Sequence, residues 1–137
     1  MVSTCAVIEL NKNHISQLPL AFFSGLRALE RIVLNNNEIE SIPVGINCPN
    51  LESFLISSNK LTDLPPDLPL WPSLRVLFVN SNQIAKLPET FIQNTWIQRV
   101  NLSRNNKCTV PSKHILMHLK KLIEKKEGGK YWAPDTL

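Results

Sequence analysis

A chain of 137 residues, 43% of them hydrophobic and 19% charged, is long enough for one continuous core and too short for a second independent domain. Its net charge of +4 is uneven: up to Lys107 nine Lys or Arg oppose eight acidic residues, whereas after Pro111 six lysines face only Glu124, Glu127 and Asp135. An excess confined to the tail argues against a nucleic-acid surface over the whole domain, and no stretch approaches the ~18 apolar residues of a membrane span.

The first ten residues, MVSTCAVIEL, join no basic flank to a long apolar stretch and carry no small-residue cleavage site. No secretory signal is expected from them, and cytoplasmic residence is the expectation. Cys5, Cys48 and Cys108 are an odd set at wide spacing, matching neither a compact disulfide framework nor paired zinc ligands; they read as thiols in a reducing compartment.

From here the chain repeats. Asn13, Asn37, Asn59, Asn82 and Asn105 recur every 22 to 24 residues. Three positions before each stands Leu10, Leu34, Ile56, Val79 or Leu102, and five before stands Ile8, Ile32, Phe54, Leu77 or Val100. Eight before come Cys5, Leu29, Leu51, Leu74 and Ile97. Two after come Ile15, Ile39, Leu61 and Ile84, with Lys107 as the exception. Five after come Leu18, Ile42, Leu64, Leu87 and Val110, each followed by proline. Apolar residues at alternate positions predict short strands with one face inward. One such strand cannot bury its face alone, so the units must stack. The asparagine amide then serves backbone groups left open where the chain turns, handing bonds from repeat to repeat. The proline fits a bend on the return side, having no N–H to offer a ladder.

Read as CAVIELNKNHISQLP, LERIVLNNNEIESIP, LESFLISSNKLTDLP, LRVLFVNSNQIAKLP and IQRVNLSRNNKCTVP, the segments resemble the leucine-rich repeat family, specifically its typical intracellular class with Leu-Pro steps. The resemblance implies an α/β solenoid: a short curved parallel sheet on the concave side, turns and short helices on the convex side, and a C-terminal capping helix. Proteins of this class occur as scaffolds near small GTPases and within chains that join repeats to a GTPase-like domain and a kinase. The expected organisation is five repeats over 3–111, an amphipathic helix over 112–129 that caps or extends the last repeat, and a flexible tail or the start of a further element over 130–137.

Along the return arms Phe22 or Phe23 with Leu26, Ile46 with Cys48, Leu68 with Trp71, and Phe91 can close the outer layer, while Asn94 interrupts this apolar column. IPVGINCPN is expected to hold turns or a single 3₁₀ turn, PETFIQN somewhat more. Cys5 and Cys48 replace core leucines and read as small buried hydrophobes. After Pro111, Ile115, Leu116, Leu119, Leu122 and Ile123 form a helical stripe. Ser112 is its expected N-cap and Gly128 with Gly129 its stop, and Lys113, Lys120, Lys121, Lys125 and Lys126 turn to water. That helix would shield the open end of the stack. Tyr131 and Trp132 either pack back on it or begin a further element.

Residues between the inward positions point out of the sheet, so the contact surface can be read directly. Glu9, Val33, Leu55, Phe78 and Asn101 form one outward row; Val7, Arg31, Ser53, Val76 and Arg99 form the next. An apolar centre of Val33, Leu55, Val76 and Phe78 margined by arginines is how protein interfaces are built, with Phe78 as the expected anchor. The candidate protein-binding residues are Arg31, Val33, Leu55, Val76, Phe78, Arg99 and Asn101. The predicted function is a non-catalytic protein-binding module or scaffold in intracellular signalling, acting as a monomer or through weak edge-mediated association. The alternative is a repeat segment of a larger GTPase- or kinase-containing protein, docked on its own neighbouring domain.

Other classes find little support. His14, His114 and His118 converge with no nucleophile, and His114 and His118 lack an intervening Glu and stand among lysines, against a metal site. Gly25, Gly45, Gly128 and Gly129 make no phosphate loop, so no cofactor or small-molecule substrate is expected. Nucleic acid or an acidic membrane could meet only the C-terminal lysines. Asn101-Leu102-Ser103 fits a glycosylation acceptor in form, but it falls within a predicted strand.

Overall fold

An inward residue at every second position extends each repeat, and the asparagine that follows ends the extension. In the computed structural model, which describes residues 4–108 and 113–134, the strands are three residues long: β1 (Val7–Glu9), β2 (Arg31–Val33), β3 (Ser53–Leu55), β4 (Val76–Phe78), β5 (Arg99–Asn101) and β6 (Lys130–Trp132). They form one curved parallel sheet in chain order. The register is unbroken, so Ile8, Ile32, Phe54, Leu77, Val100 and Tyr131 stand side by side in one inward row. The four middle members are wholly buried, while Ile8 and Tyr131 at the two ends are partly covered.

The asparagines tie the turns together. Asn82 Nδ2 donates to the Ile56 and Val79 carbonyls at 3.1 and 3.0 Å, and its Oδ1 accepts from the Leu61 N–H at 3.0 Å. Asn59 bridges Leu34, Ile56 and Ile39 in the same way, and Asn105 bridges Val79, Leu102 and Ile84. Asn37 takes two N–H groups of the first repeat, those of Asn13 and Ile15, both at 3.1 Å. The Asn13 side chain is exposed and, among the described residues, bonds only within its own turn. The residue before each asparagine, Lys12, Asn36, Ser58, Ser81 or Arg104, is left-handed with φ between 55° and 60°. Five non-glycine residues accept that conformation because the amide behind each fixes the turn.

The return arms hold 3₁₀ turns at Leu20–Phe23, Leu68–Leu70 and Glu89–Gln93, whereas the arm IPVGINCPN makes turns alone. Phe23, Ile46, Cys48, Leu68, Trp71 and Phe91 are buried and close the outer layer; Phe22 and Leu26 pack partly against it. Asn94 does not open the column: it is fully buried, donating to the Pro69 carbonyl at 2.8 Å and accepting from the Trp96 and Ile97 N–H groups at 2.9 Å. A buried amide with all these partners costs little. Cys48 is buried as expected, and burial pushes its thiol above the ordinary range. Cys5, expected in the core, is only partly covered, since among the described residues no strand pairs with β1 on its other side.

The fifth repeat returns through α1 (Lys113–Glu124), which buries Ile115, Leu116, Leu119 and Ile123. The expected N-cap, Ser112, lies outside the described residues, as do residues 109–111 and 135–137. The helix stops at Glu124, before the glycines, and a turn leads into β6. Gly129 sits where a side chain cannot: a Cβ there would lie 2.3 Å from the Ile123 carbonyl oxygen. One lysine departs from the expectation of a solvated stripe: Lys126 Nζ donates to the Thr95 and Ile97 carbonyls at 2.9 and 3.0 Å. Partial burial, and then nearby Arg75, lower its ammonium pKa. The histidines fix the helix to the fourth return arm, His114 Nε2 lying 2.7 Å from Glu89 Oε2 and His118 Nε2 lying 2.9 Å from the Asn94 carbonyl. Within the segment expected as a tail or the start of a further element, Lys130–Trp132 forms β6 and pairs with β5.

Candidate protein-binding face

Side chains that alternate with the core row emerge on the concave side. Strand pairing aligns Val7, Arg31, Ser53, Val76, Arg99 and Lys130 in one row and Glu9, Val33, Leu55, Phe78, Asn101 and Trp132 in the other. Of the residues singled out from sequence, Arg31 and Arg99 are exposed, and Leu55, Val76, Phe78 and Asn101 are half-exposed.

Val33 is corrected: expected in solvent, it is 4% exposed. It stands directly between Glu9 and Leu55, and on a concave sheet the longer outward side chains of the flanking strands close over a valine. The apolar centre therefore begins at Leu55 and runs toward the C-terminal end of the stack.

Phe78 is not a solitary anchor. Trp132 reaches across Asn101 to place its ring edge-on to Phe78, with centroids 5.7 Å apart and planes at 85°. Such T-shaped pairs are favourable beyond the area they bury. Trp132 itself remains 39% exposed, so the pair forms a ridge over the last three strands. Sequence reasoning missed Trp132 and Lys130 as members of this face. Neither is followed by a ladder asparagine, and the one signal available was the alternation of Tyr131 with its two neighbours.

Below this ridge the face is polar and internally bonded. Ser57 Oγ donates to Asn80 Oδ1 at 2.7 Å, Asn35 Oδ1 accepts from the Ser57 N–H at 2.8 Å, and Asn101 Oδ1 accepts from both the N–H and the hydroxyl of Ser103. These amides are set by one another before any ligand arrives. Among the described residues no cluster of three or more His, Cys, Asp or Glu could hold a metal ion, and no helix is long and apolar enough to cross a membrane.

The family model described as leucine rich repeat matches residues 49–106. A human protein, leucine-rich repeats and immunoglobulin-like domains protein 3, is 33% identical over 91 residues, covering 65% of this chain and 8% of that one. Probable inactive serine/threonine-protein kinase roco10 of Dictyostelium discoideum is 30% identical over 105 residues, covering 72% and 4%. A solved leucine-rich repeat protein of Leptospira interrogans superposes with a TM-score of 0.74 at 30% identity, over 88% of this chain and 30% of that one. The chain therefore spans less than a third of each of these proteins. Lumican, keratocan, asporin and podocan also match, and these are extracellular matrix proteins. With relatives of that kind among the matches, the expectation of a cytoplasmic location does not stand.

Proposed function

We propose that this chain, which belongs to the leucine-rich repeat family, is a non-catalytic module that holds a protein partner on the concave face of its sheet. The observation that carries the reading is the run of half-exposed apolar side chains, Leu55, Val76 and Phe78, continued by Trp132 and margined by Arg31 and Arg99. Aromatic anchors beside arginine are what binding hot spots are made of. The backbone under them is locked by the asparagine ladder, so little ordering cost falls on association. Scaffolding in a signalling assembly is the use we assign to it, with Arg31, Leu55, Val76, Phe78, Arg99 and Asn101 as the contact set.

The test is a joint Leu55→Glu and Phe78→Glu variant. Its circular dichroism spectrum should match the parent, because both side chains lie outside the core, while recovery of cross-linked partners falls at least tenfold. Partners recovered unchanged would refute the face. A second reading is favoured by the small share of the kinase-like relative that the chain spans: the same face docks on a neighbouring domain of a longer GTPase- or kinase-containing polypeptide. Cross-links confined to one polypeptide would select that arrangement.

A further inference from the structure

The charges divide along the stack in a way the repeat architecture does not require. Through Asp67 seven carboxylates meet four Lys or Arg, whereas from Arg75 to Pro134 eleven Lys or Arg meet three carboxylates. On the outward rows of the sheet, β1 and β2 carry Glu9 and Arg31, β3 and β4 carry no charge, and β5 and β6 carry Arg99 and Lys130. Glu9 on β1, and Glu30 and Glu52 at the entries to β2 and β3, are exposed on the acidic side. Arg99 and Lys130 are exposed neighbours on β5 and β6. Arg75 precedes β4, its Nη1 resting 3.3 Å from the Pro72 and Leu74 carbonyls. Among the described residues, no carboxylate lies within salt-bridge distance of these three cations. The aromatic ridge of Phe78 and Trp132 lies in this basic half, and Arg99 and Lys130 stand two residues before Asn101 and Trp132 on the same outward face.

We propose that the β4–β6 half of the concave face binds an acidic peptide segment carrying one aromatic or large apolar side chain, the carboxylates meeting Arg99 and Lys130 and the apolar group resting on Phe78 and Trp132. This assignment rests on the concave face being the binding surface, and it names the chemistry of what binds there. Width favours a peptide over a long polyanion. Two strand spacings of ~4.8 Å separate β4 from β6, which suits one extended segment. A nucleic-acid strand or sulfated chain continuing across the sheet leaves these cations at β4, since the outward residues of β3 and β4 carry no charge. Arginine pairs a carboxylate through two parallel N–H bonds, which gives the site direction as well as attraction.

The test pans a displayed random-peptide library on the folded chain and maps selected peptides by backbone-amide NMR shifts. Selected sequences should be enriched in Asp and Glu around a Trp, Phe or Leu, and the shifts should concentrate at Val76, Phe78, Asn101 and Trp132. A synthetic peptide of that consensus should bind at least tenfold more weakly to an Arg99→Gln, Lys130→Gln double variant, and several-fold more weakly as salt rises from about 50 to about 300 mM, as screening requires. Trp132→Ala should weaken it with the salt dependence intact. Peptides without acidic enrichment that still map to Leu55 and Phe78 would overturn the acidic-segment assignment while leaving the concave face as the binding surface. A footprint on the return arms or α1 would overturn both. Failure to select any peptide, or displacement of the acidic peptide by an equimolar thymidine oligonucleotide, would overturn the acidic-segment assignment alone.

Discussion

Asn37, Asn59, Asn82 and Asn105 each satisfy three or more backbone groups with one small side chain, which makes these positions far more sensitive than their size implies. Asn82→Ala would strand the Leu61 N–H in the interior and take one of two amide partners from the Ile56 and Val79 carbonyls, which Asn59 and Asn105 still serve. The expected loss is about 1–3 kcal/mol, the cost of one orphaned buried donor. Asn13→Ala, at an exposed turn, should cost under about 1 kcal/mol. Urea midpoints of the two variants check the contrast; equal losses would mean that the bonds between repeats carry no weight. A second residue-scale prediction concerns Tyr131. Burial, and to a smaller extent nearby Cys108, hold its phenol well above the ordinary value. A raised folded-state pKa for an acid that is neutral when protonated adds stability that is present below the unfolded value of about 10 and is lost as pH rises past it. The urea midpoint should therefore fall more steeply above pH ~10 in the parent chain than in Tyr131→Phe, and parallel curves would count against it.

At the scale of elements, what the sequence made legible follows from how local each cause is. Ile32, Phe54, Leu77 and Val100 announce their strands because alternation and the asparagine five residues later are both written nearby. The sixth strand was not legible. Lys130–Trp132 has one inward residue and no asparagine signature, and it becomes a strand because α1 delivers it to the free edge of β5. The site shows the same division. Leu55 and Phe78 could be placed by counting, but the burial of Val33 depends on side chains of two other strands, and the Phe78–Trp132 contact depends on a register set two strands away. Delivery of β6 requires the close turn after α1. Gly129→Ala should therefore destabilise the chain by roughly 1–3 kcal/mol through overpacking against the Ile123 carbonyl, and weaken the Trp132 to Phe78 contact. Gly128, with φ +72° and open space on the side where a methyl group would project, should lose only the ~1 kcal/mol of its backbone preference on substitution by Ala. Thermal melts and the near-ultraviolet signal of Trp132 distinguish the two; a silent Gly129→Ala would refute the tight turn.

For the whole molecule, stability in a stacked array comes from each unit and its contacts with two neighbours. Among the described residues the first repeat has one neighbour: Cys5, Ile8, Leu10 and Ile15 are only partly covered, whereas their counterparts in the third repeat, Leu51, Phe54, Ile56 and Leu61, are buried. Hydrogen exchange should accordingly be graded, with the amides of β1 opening locally and those of β3 and β4 exchanging only with global unfolding. Uniform protection across the sheet would contradict that gradient. The fold as a whole was readable because one short rule recurs five times; β6 was less so, because the rule does not write it.

The contact between Phe78 and Trp132 joins the middle of the polypeptide to a strand made much later in synthesis. A ligand that leans on both rings senses, in a single touch, whether the far strand has docked. A nascent or clipped molecule lacking β6 would offer one ring without its companion.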